Sequence, residues 1–332
     1  EKVAYRCVFR CQEKQLLSNG VADIYTHHFG FAYGTANIMC PLPSGCETPS
    51  SIAVTSADAN STSTSTMLTL LWGMLMEMPV CLSLVQSLEM LQLLGVNRVV
   101  VYKTSCSPET QRILDYYTQK GLLEVIPWSL SRYVNVSRGW LPEHGPGELH
   151  YFGQIPALND CLYRYMYQSR YVALHDIDEL ILPQKVIRYV WVELLPLLEN
   201  QYGANKCYMF ENNVFPINVM LAPPASQSLP PQTDWKNVTG VNILAHLYQE
   251  PIIEETHYSN FKIIVNPRAV FATTVHGVLK SQHGCSWIDR NINVFTNYLQ
   301  ILLQNNCLNK NYLFITVFLP VRYTSNSIFA ST

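Results

Sequence analysis

Two aspartates one residue apart, Asp176 and Asp178, are the residues of this sequence best placed to do chemistry. They follow the apolar run Tyr171-Val172-Ala173-Leu174 and His175, and Glu179 comes directly after them. In an extended segment side chains two apart share a face, so both carboxylates would point the same way and Ile177 into the core. Carboxylates at the end of an apolar strand sit where open α/β sheets bind their ligands. As hard oxygen donors they suit Mn²⁺ or Mg²⁺, and such an ion stabilises the charge that develops on a departing diphosphate. An Asp-x-Asp tripeptide arises easily by chance; its position after a strand and before Glu179 is what makes it selective. The competing assignment is a strand-to-turn junction whose aspartates cap backbone amides.

The elements that must position this pair are legible on both sides of it. Val85, Leu88, Leu91 and Leu94 recur at helical spacing and Gly95 follows as a stop. Arg98 to Tyr102 is a β-branched run suited to a strand buried on both faces. Ser107-Pro108 supplies an N-cap and a proline for the first helical position, and the helix should run to Lys120 with Gly121 ending it. Leu122 to Ile126 is the next strand, so helix and strand alternate as in an α/β sheet with crossover connections. Residues 129–153 are irregular and rich in Gly, Pro, His and Trp, the length and composition of a functional lid. Ile155, Leu158, Leu162 and Tyr165 mark a helix leading into the Tyr171–Leu174 strand. Beyond the aspartates, Val190 to Leu198 reads as helix and Lys206 to Phe210 as extended. Residues 222–231 form a Pro-rich loop, and Phe261–Val265 and Ala269–Thr274 form two strands around Asn266-Pro267.

The remainder of the chain divides by composition. Residues 1–57 form a β-rich region in which Cys7, Cys11, Cys40 and Cys46 imply disulfide staples, and residues 58–66 read as a polar linker. Sequons at Asn60, Asn135 and Asn237 add to the case for an oxidising, secretory-pathway compartment. With 48% hydrophobic and only 14% charged residues, the chain can bury a large core. The net charge of -2 gives no electrostatic basis for binding nucleic acid or an anionic membrane. The apolar stretch Met67–Val85 is interrupted by Glu77 and Pro79, which favours a buried segment over a membrane span. The chain starts Glu1-Lys2, so a membrane anchor is expected outside it.

The segments LVQSLEMLQLLGVNRVVVYKTSCSPETQRILDYYTQKGLLEVIPW and IPALNDCLYRYMYQSRYVALHDIDELILP resemble glycosyltransferase family 92, over about residues 79–290. The resemblance implies an A-type glycosyltransferase fold, a Rossmann-like mixed α/β sheet flanked by helices, occupying 79–293. It also implies an inverting, Mn²⁺-dependent transfer of a sugar, galactose first, from a UDP-sugar donor to a glycan or glycoprotein acceptor. Core fucose of N-glycans is the acceptor it suggests, and the Golgi lumen, through a single-pass type II anchor, is the location. Carried over residue by residue, Asp176 and Asp178 bind the metal, and His276 in Thr274-Val275-His276-Gly277 completes its shell. Lys262 pairs with the diphosphate, although a solvated strand-edge lysine would read the same. Tyr102, Lys103 and Thr104 face the nucleotide; Asn159, Asp160 and Arg164 reach uracil or ribose. An inverting transfer needs one general base, for which Glu211 is the first choice and Glu254, Glu255 and Asp289 remain open. The insert at 58–78, the direct run of Pro79–Ser83 into a helix, and the apolar, Asn-rich tail 294–332 depart from the family pattern. A non-catalytic relative that binds glycans or a secretory partner is the alternative reading. A phosphohydrolase with Asp176 as nucleophile is the third.

Overall fold

A computed structural model of the chain describes residues 4–56, 81–184, 190–216, 246, 248–250 and 261–297, with 313–314 described as strand only. The whole 58–78 insert with its 58–66 linker, the sequons at Asn60 and Asn237, the Pro-rich loop, Glu254, Glu255 and most of the tail lie outside the described residues. The chain divides into two compact units, Glu1–Leu71 with Ser129–Asp160, and Trp72–Trp128 with Cys161–Thr332.

The first unit is built on β1 (Tyr5–Cys11), β2 (Lys14–Ile24), β3 (Ala36–Met39) and β4 (Ser51–Ser56), in the order β3-β2-β1-β4. All three pairings are antiparallel. Alternation along β1 turns Cys7, Phe9 and Cys11 to one buried face. There Cys7 bonds to Cys40 and Cys11 to Cys46, so the expected staples are present. With Leu16, Ile38, Ile52 and Val54 packed around them, they form a core too small to hold four strands without cross-links.

Residues 129–153, expected to be a lid-like loop, belong to this same unit. The Tyr33 amide donates to Glu148 O at 2.8 Å, and Leu149 bridges to both Tyr33 and Val136. Glycine makes that packing possible, because a Cβ on Gly139 would lie 2.5 Å from Gly145 N, and one on Gly147 2.5 Å from Ser137 N. Ser137 donates through Oγ to Gly145 O at 2.9 Å and accepts from Gly139 N at 3.0 Å. Asn135, its sequon partner, is exposed.

In the second unit α1 (Cys81–Leu93) leads through Gly95, at φ +83°, into β5 (Val99–Lys103). The next helix, α2 (Pro108–Gln119), starts where its sequence says it should. Ser107 Oγ accepts the Thr110 N–H at 3.2 Å, Pro108 takes the first position, and Gly121 follows the end at φ +77°. It crosses over to β6 (Leu123–Pro127), which pairs in parallel with β5. Leu84, Val85 and Leu88 of α1 pack with Leu114 and Tyr117 of α2 against Val101 and Leu123.

After α3 (Gln154–Tyr165) comes a larger sheet. Its members are β7 (Val172–Leu174), β8 (Glu179–Pro183) and β9 (Cys207–Val214), which follows α4 (Trp191–Tyr202). The ribbon strand β10 (Tyr248–Gln249) comes before β11 (Phe261–Val265). The hairpin of β12 (Val270–Thr274) and β13 (Gly277–Ser281) precedes β14 (Cys285–Trp287) and β15 (Asn293–Asn297). β10 pairs with β16 (Leu313–Phe314). The large sheet runs β7-β11-β9-β15-β8, with β14 also on β9. Pairings of β9 with β14 and β15 are parallel and the rest antiparallel, so the expected α/β class holds with a mixed sheet. Leu194 and Leu198 of α4 cover Leu180, Ile181, Tyr208, Phe210 and Ile264. Trp191 Nε1 donates to Ile181 O at 2.9 Å and fixes the helix to β8. Among the described residues no helix is long and apolar enough to cross a membrane.

Candidate functional site

β7 stops at Leu174 and β8 begins at Glu179, so Asp176-Ile177-Asp178 forms the turn between them. This differs from the extended geometry expected, and strand alternation does not aim the two carboxylates. The turn is closed by the Glu179 N–H on Asp176 O at 3.2 Å, while the Asp176 N–H donates to Glu179 Oε2 at 2.8 Å. Amide capping therefore falls chiefly to Glu179. Ile177 still packs inward, against the α1–α2 cluster. His175, whose pKa burial pushes down, is neutral and its Nδ1 lies 2.9 Å from Asp176 O.

The partner of this turn comes from β11. Ile263 sits opposite Leu174, which brings Lys262 to the end of β7. Its Nζ lies 2.9 Å from Asp176 Oδ2 and 3.1 Å from Glu179 Oε2. The Lys262 and Glu179 side chains are each 3% exposed, whereas Asp176 is 37% exposed and can reach solvent. Burial works against the Lys262 charge, but Asp176 and Glu179 more than offset it and its pKa is raised. Burial and the neighbouring Asp176 charge push Asp178 up to about 6. Glu179 is pushed up to about 8, by burial first, with Lys262 opposing and both aspartates adding to it. Two carboxyl groups thus contact one ammonium and a third, that of Asp178, feels its field, a cluster with more acidic groups than basic ones.

His276 joins this neighbourhood from the β12–β13 turn. The turn depends on Gly277, at φ +140°, where a Cβ would meet the Phe261 ring at 2.8 Å. Burial and the Lys262 charge lower the His276 pKa, with Asp176 opposing, so the imidazole is neutral at pH 7. Two carboxylates and a neutral imidazole are the donor types that Mn²⁺ accepts. Their surplus charge is also what a divalent cation would balance. They are not drawn into a finished shell: among the described residues no three His, Cys, Asp or Glu side chains are grouped to hold a metal. Lys262, expected at a diphosphate, is instead engaged by Asp176 and Glu179.

Glu211 lies within β9 and opposite Phe261, rather than beyond a strand as the apolar run to Phe210 suggested. Its buried carboxylate pairs with Arg290, Nε at 3.4 Å and Nη2 at 3.5 Å. Arg290 was not anticipated, since no local pattern links residues so distant in sequence. Asp289 accepts from the Asn291 amide at 2.7 Å and from Asn291 Nδ2 at 2.8 Å, the role of a turn cap. Tyr102 is buried edge-on to Trp128, and Lys103 Nζ donates to Gln111 Oε1 at 2.5 Å. Asn159 and Asp160 belong to the first unit, where Asn159 donates to Ile155 O at 2.8 Å and accepts from Tyr25 at 3.2 Å. The structure therefore gathers Asp176, Asp178, Lys262 and His276 and adds Glu179. It leaves the expected nucleotide residues divided between the units.

Comparison with known proteins points the same way as the early resemblance. The sequence profile of glycosyltransferase family 92 matches residues 75–324, extending past the 79–290 stretch on both sides. A Caenorhabditis elegans protein named glycosyltransferase family 92 protein F13G3.3 is 29% identical over 108 residues. The aligned part is 32% of this chain and 21% of that protein, so the chain spans about a fifth of that relative's length.

Proposed function

Because the chain belongs to glycosyltransferase family 92, we propose that it transfers a sugar, galactose first among candidates, from a UDP-sugar to a glycan acceptor such as core fucose. The observation that carries this reading is the pairing of Lys262 with Asp176 and Glu179 at the end of β7, with Asp178 in the same electrostatic neighbourhood. Asp176 and Asp178, with His276, would hold Mn²⁺, which supplies Lewis-acid stabilisation of the departing diphosphate. In this reading the large sheet and the β5–α2–β6 unit are the two parts of an A-type fold. Lys262 sets the direction of the Asp176 carboxylate and limits the local negative charge before a ligand arrives. Glu211 takes the acceptor proton as the sugar carbon is attacked with inversion, and Arg290 orients its carboxylate.

The test is UDP affinity by calorimetry, with and without Mn²⁺, together with turnover of donor and acceptor. Asp178→Ala should abolish the Mn²⁺-dependent part of UDP binding. Glu211→Gln should keep that binding and lower kcat by about 10²- to 10⁴-fold. Mn²⁺-dependent binding undiminished in Asp178→Ala would place the ion elsewhere. The pairing of Asp176 with Lys262 favours a second reading, a non-catalytic relative that binds glycans. Wild-type protein that binds neither UDP nor Mn²⁺ would decide for it.

The two N-terminal disulfides support a lumenal setting, such as that of the Golgi. Protein from a secretory host should then shift on a gel after N-glycan removal, with Asn135 carrying a glycan. Because Ser137 is fully buried, that glycan must be added before the 129–153 segment closes. An unshifted band would count against the setting.

A further inference from the structure

Cys207 and Cys285 are outside both disulfides and stand opposite one another, Cys207 at the head of β9 and Cys285 at the head of β14. The strands run parallel there, and the ladder continues through Ser286 opposite Tyr208 and Trp287 opposite Met209. The Cys207 amide meets Gly284 O at 3.5 Å, and Gly284 at φ +70° turns the chain into β14. Residues opposite each other in neighbouring strands have Cα atoms about 5 Å apart, within the range a disulfide spans. Their side chains converge as well as their backbones. The two thiols interact: a hydrogen bond between them, with burial adding, raises the Cys207 pKa, and the same hydrogen bond lowers that of Cys285 against the effect of burial. Cys207 is fully buried and Cys285 is half-buried, so an external reagent reaches Cys285 first.

We propose that Cys207 and Cys285 form a third disulfide, which ties β14 to β9. The oxidant is a small-molecule disulfide of the glutathione type. The Cys285 thiolate attacks one of its sulfurs, forming a mixed disulfide and releasing one glutathione thiolate. Cys207 gives its proton to the released glutathione thiolate and then attacks the Cys285 sulfur, releasing the second. Two protein thiols and one glutathione disulfide become one protein disulfide and two glutathione thiols, so electrons and protons balance. The bond would fix Trp287, which packs edge-on to Phe261 at 4.9 Å, and thereby the start of the strand that carries Lys262. The lumenal reading enters only as a natural source of oxidant; the register of β9 and β14 stands without it.

Trypsin makes this measurable in the full chain. Cleavage after Lys206 and Lys236 isolates Cys207 on residues 207–236, and cleavage after Lys280 and Arg290 isolates Cys285 on residues 281–290. Folded protein is incubated with glutathione disulfide, alkylated without reduction, digested and weighed by mass spectrometry. The expected result is one species joining the two peptides, which separates on reduction, with a higher Tm before mild reduction than after. Cys285→Ser should abolish it and leave Cys207 largely unmodified, because Cys207 is buried. Recovery of both peptides separately alkylated would overturn the proposal. So would stable glutathione on Cys285 beside a free Cys207, or either cysteine joined to a different one. None of these results depends on sugar transfer, and loss of transferase activity would leave the bond untouched.

Discussion

In the first unit His150 is enclosed by aromatic rings, stacked on Phe29 at 4.3 Å and edge-on to Trp140 at 4.7 Å and Phe31 at 5.6 Å. In the second unit Lys262 is enclosed by carboxylates. Both basic groups are 3% exposed, so each has lost nearly all contact with water. They end in opposite states. Burial pushes His150 down to about 4, the Trp140 backbone opposing only weakly, and the ring stays neutral. Lys262 keeps its charge because carboxylates replace the lost water. The aromatic nest also holds Phe29 at φ 52°, Tyr151 at φ 31° and Phe152 at φ 54°. Side chains rarely adopt such conformations, and the ring packing must offset their cost. A buried base among rings is a structural element. A buried base among surplus carboxylates marks a place where another cation can be accommodated.

The largest effect expected from breaking this contrast is at Lys262. Lys262→Met removes the ammonium from its buried pair with Asp176 and Glu179, so stability should fall by about 3–5 kcal/mol. Adding Glu179→Gln should restore part of that loss, because Glu179, already pushed up to about 8, must otherwise hold a proton to stay buried. Urea denaturation of wild type, both single variants and the double variant measures the coupling. A Lys262→Met protein as stable as wild type would mean that the pair adds no net stabilisation, and the contrast with His150 would collapse.

The His150 nest makes a prediction about pH. Above pH 6.5 the ring is neutral whether the chain is folded or not. As pH falls from 6.5 towards about 4, the unfolded chain takes up a proton that folded His150 refuses, so folding stability is lost across that window and levels off below it. The loss should be about 2–3 kcal/mol. Carboxyl groups titrate over part of the same range, so the informative quantity is wild type minus His150→Phe, which keeps a flat ring without the titration. If both proteins lose stability in parallel from pH 6.5 to 4, His150 is not buried as a neutral ring.

Where the sequence carries local chemistry, these elements were legible. The Ser107-Pro108 start and Gly121 stop of α2, and the Phe261–Val265 strand, need only nearby residues to specify them. The N-terminal cysteines announce staples, but four cysteines allow three connectivities and only the folded chain selects Cys7–Cys40 and Cys11–Cys46. The turn at Asp176 was read as extended because an apolar run gives no signal for where it stops. Its closure depends on the Glu179 side chain reaching back to the Asp176 amide. Glu211 looks as if it lies past its strand for a similar reason: β11 pairs with β9 only as far as Glu211, and β9 continues through two asparagines that disfavour strand because β15 pairs with them. Lys262 was singled out without its partners, and Arg290 was missed, because such pairs meet only through sheet order. The placement of residues 129–153 rests on contacts with the connection between β2 and β3, through Phe29, Phe31 and Tyr33, that no local pattern encodes.

The smallest effect is expected at Ile177, and it separates the packing of the carboxylate turn from its electrostatics. Ile177 is half-buried against Leu84, Val85 and their neighbours, between two aspartates that hold no hydrophobic contact of their own in that cluster. Ile177→Val deletes one methylene and changes no charge. Lost transfer energy and a small cavity should cost about 0.5–1.5 kcal/mol, towards the lower end for a side chain that keeps some solvent contact. The turn's hydrogen bonds run through Asp176 and Glu179 rather than Ile177, so the carboxyl positions should hold. Mn²⁺-dependent UDP affinity should therefore stay within about twofold, equivalent to about 0.4 kcal/mol. Urea midpoint and calorimetry on the same preparation test both halves. A tenfold loss of UDP affinity with stability intact would show that packing, and not the Lys262 ion pair, sets the aim of the carboxylates.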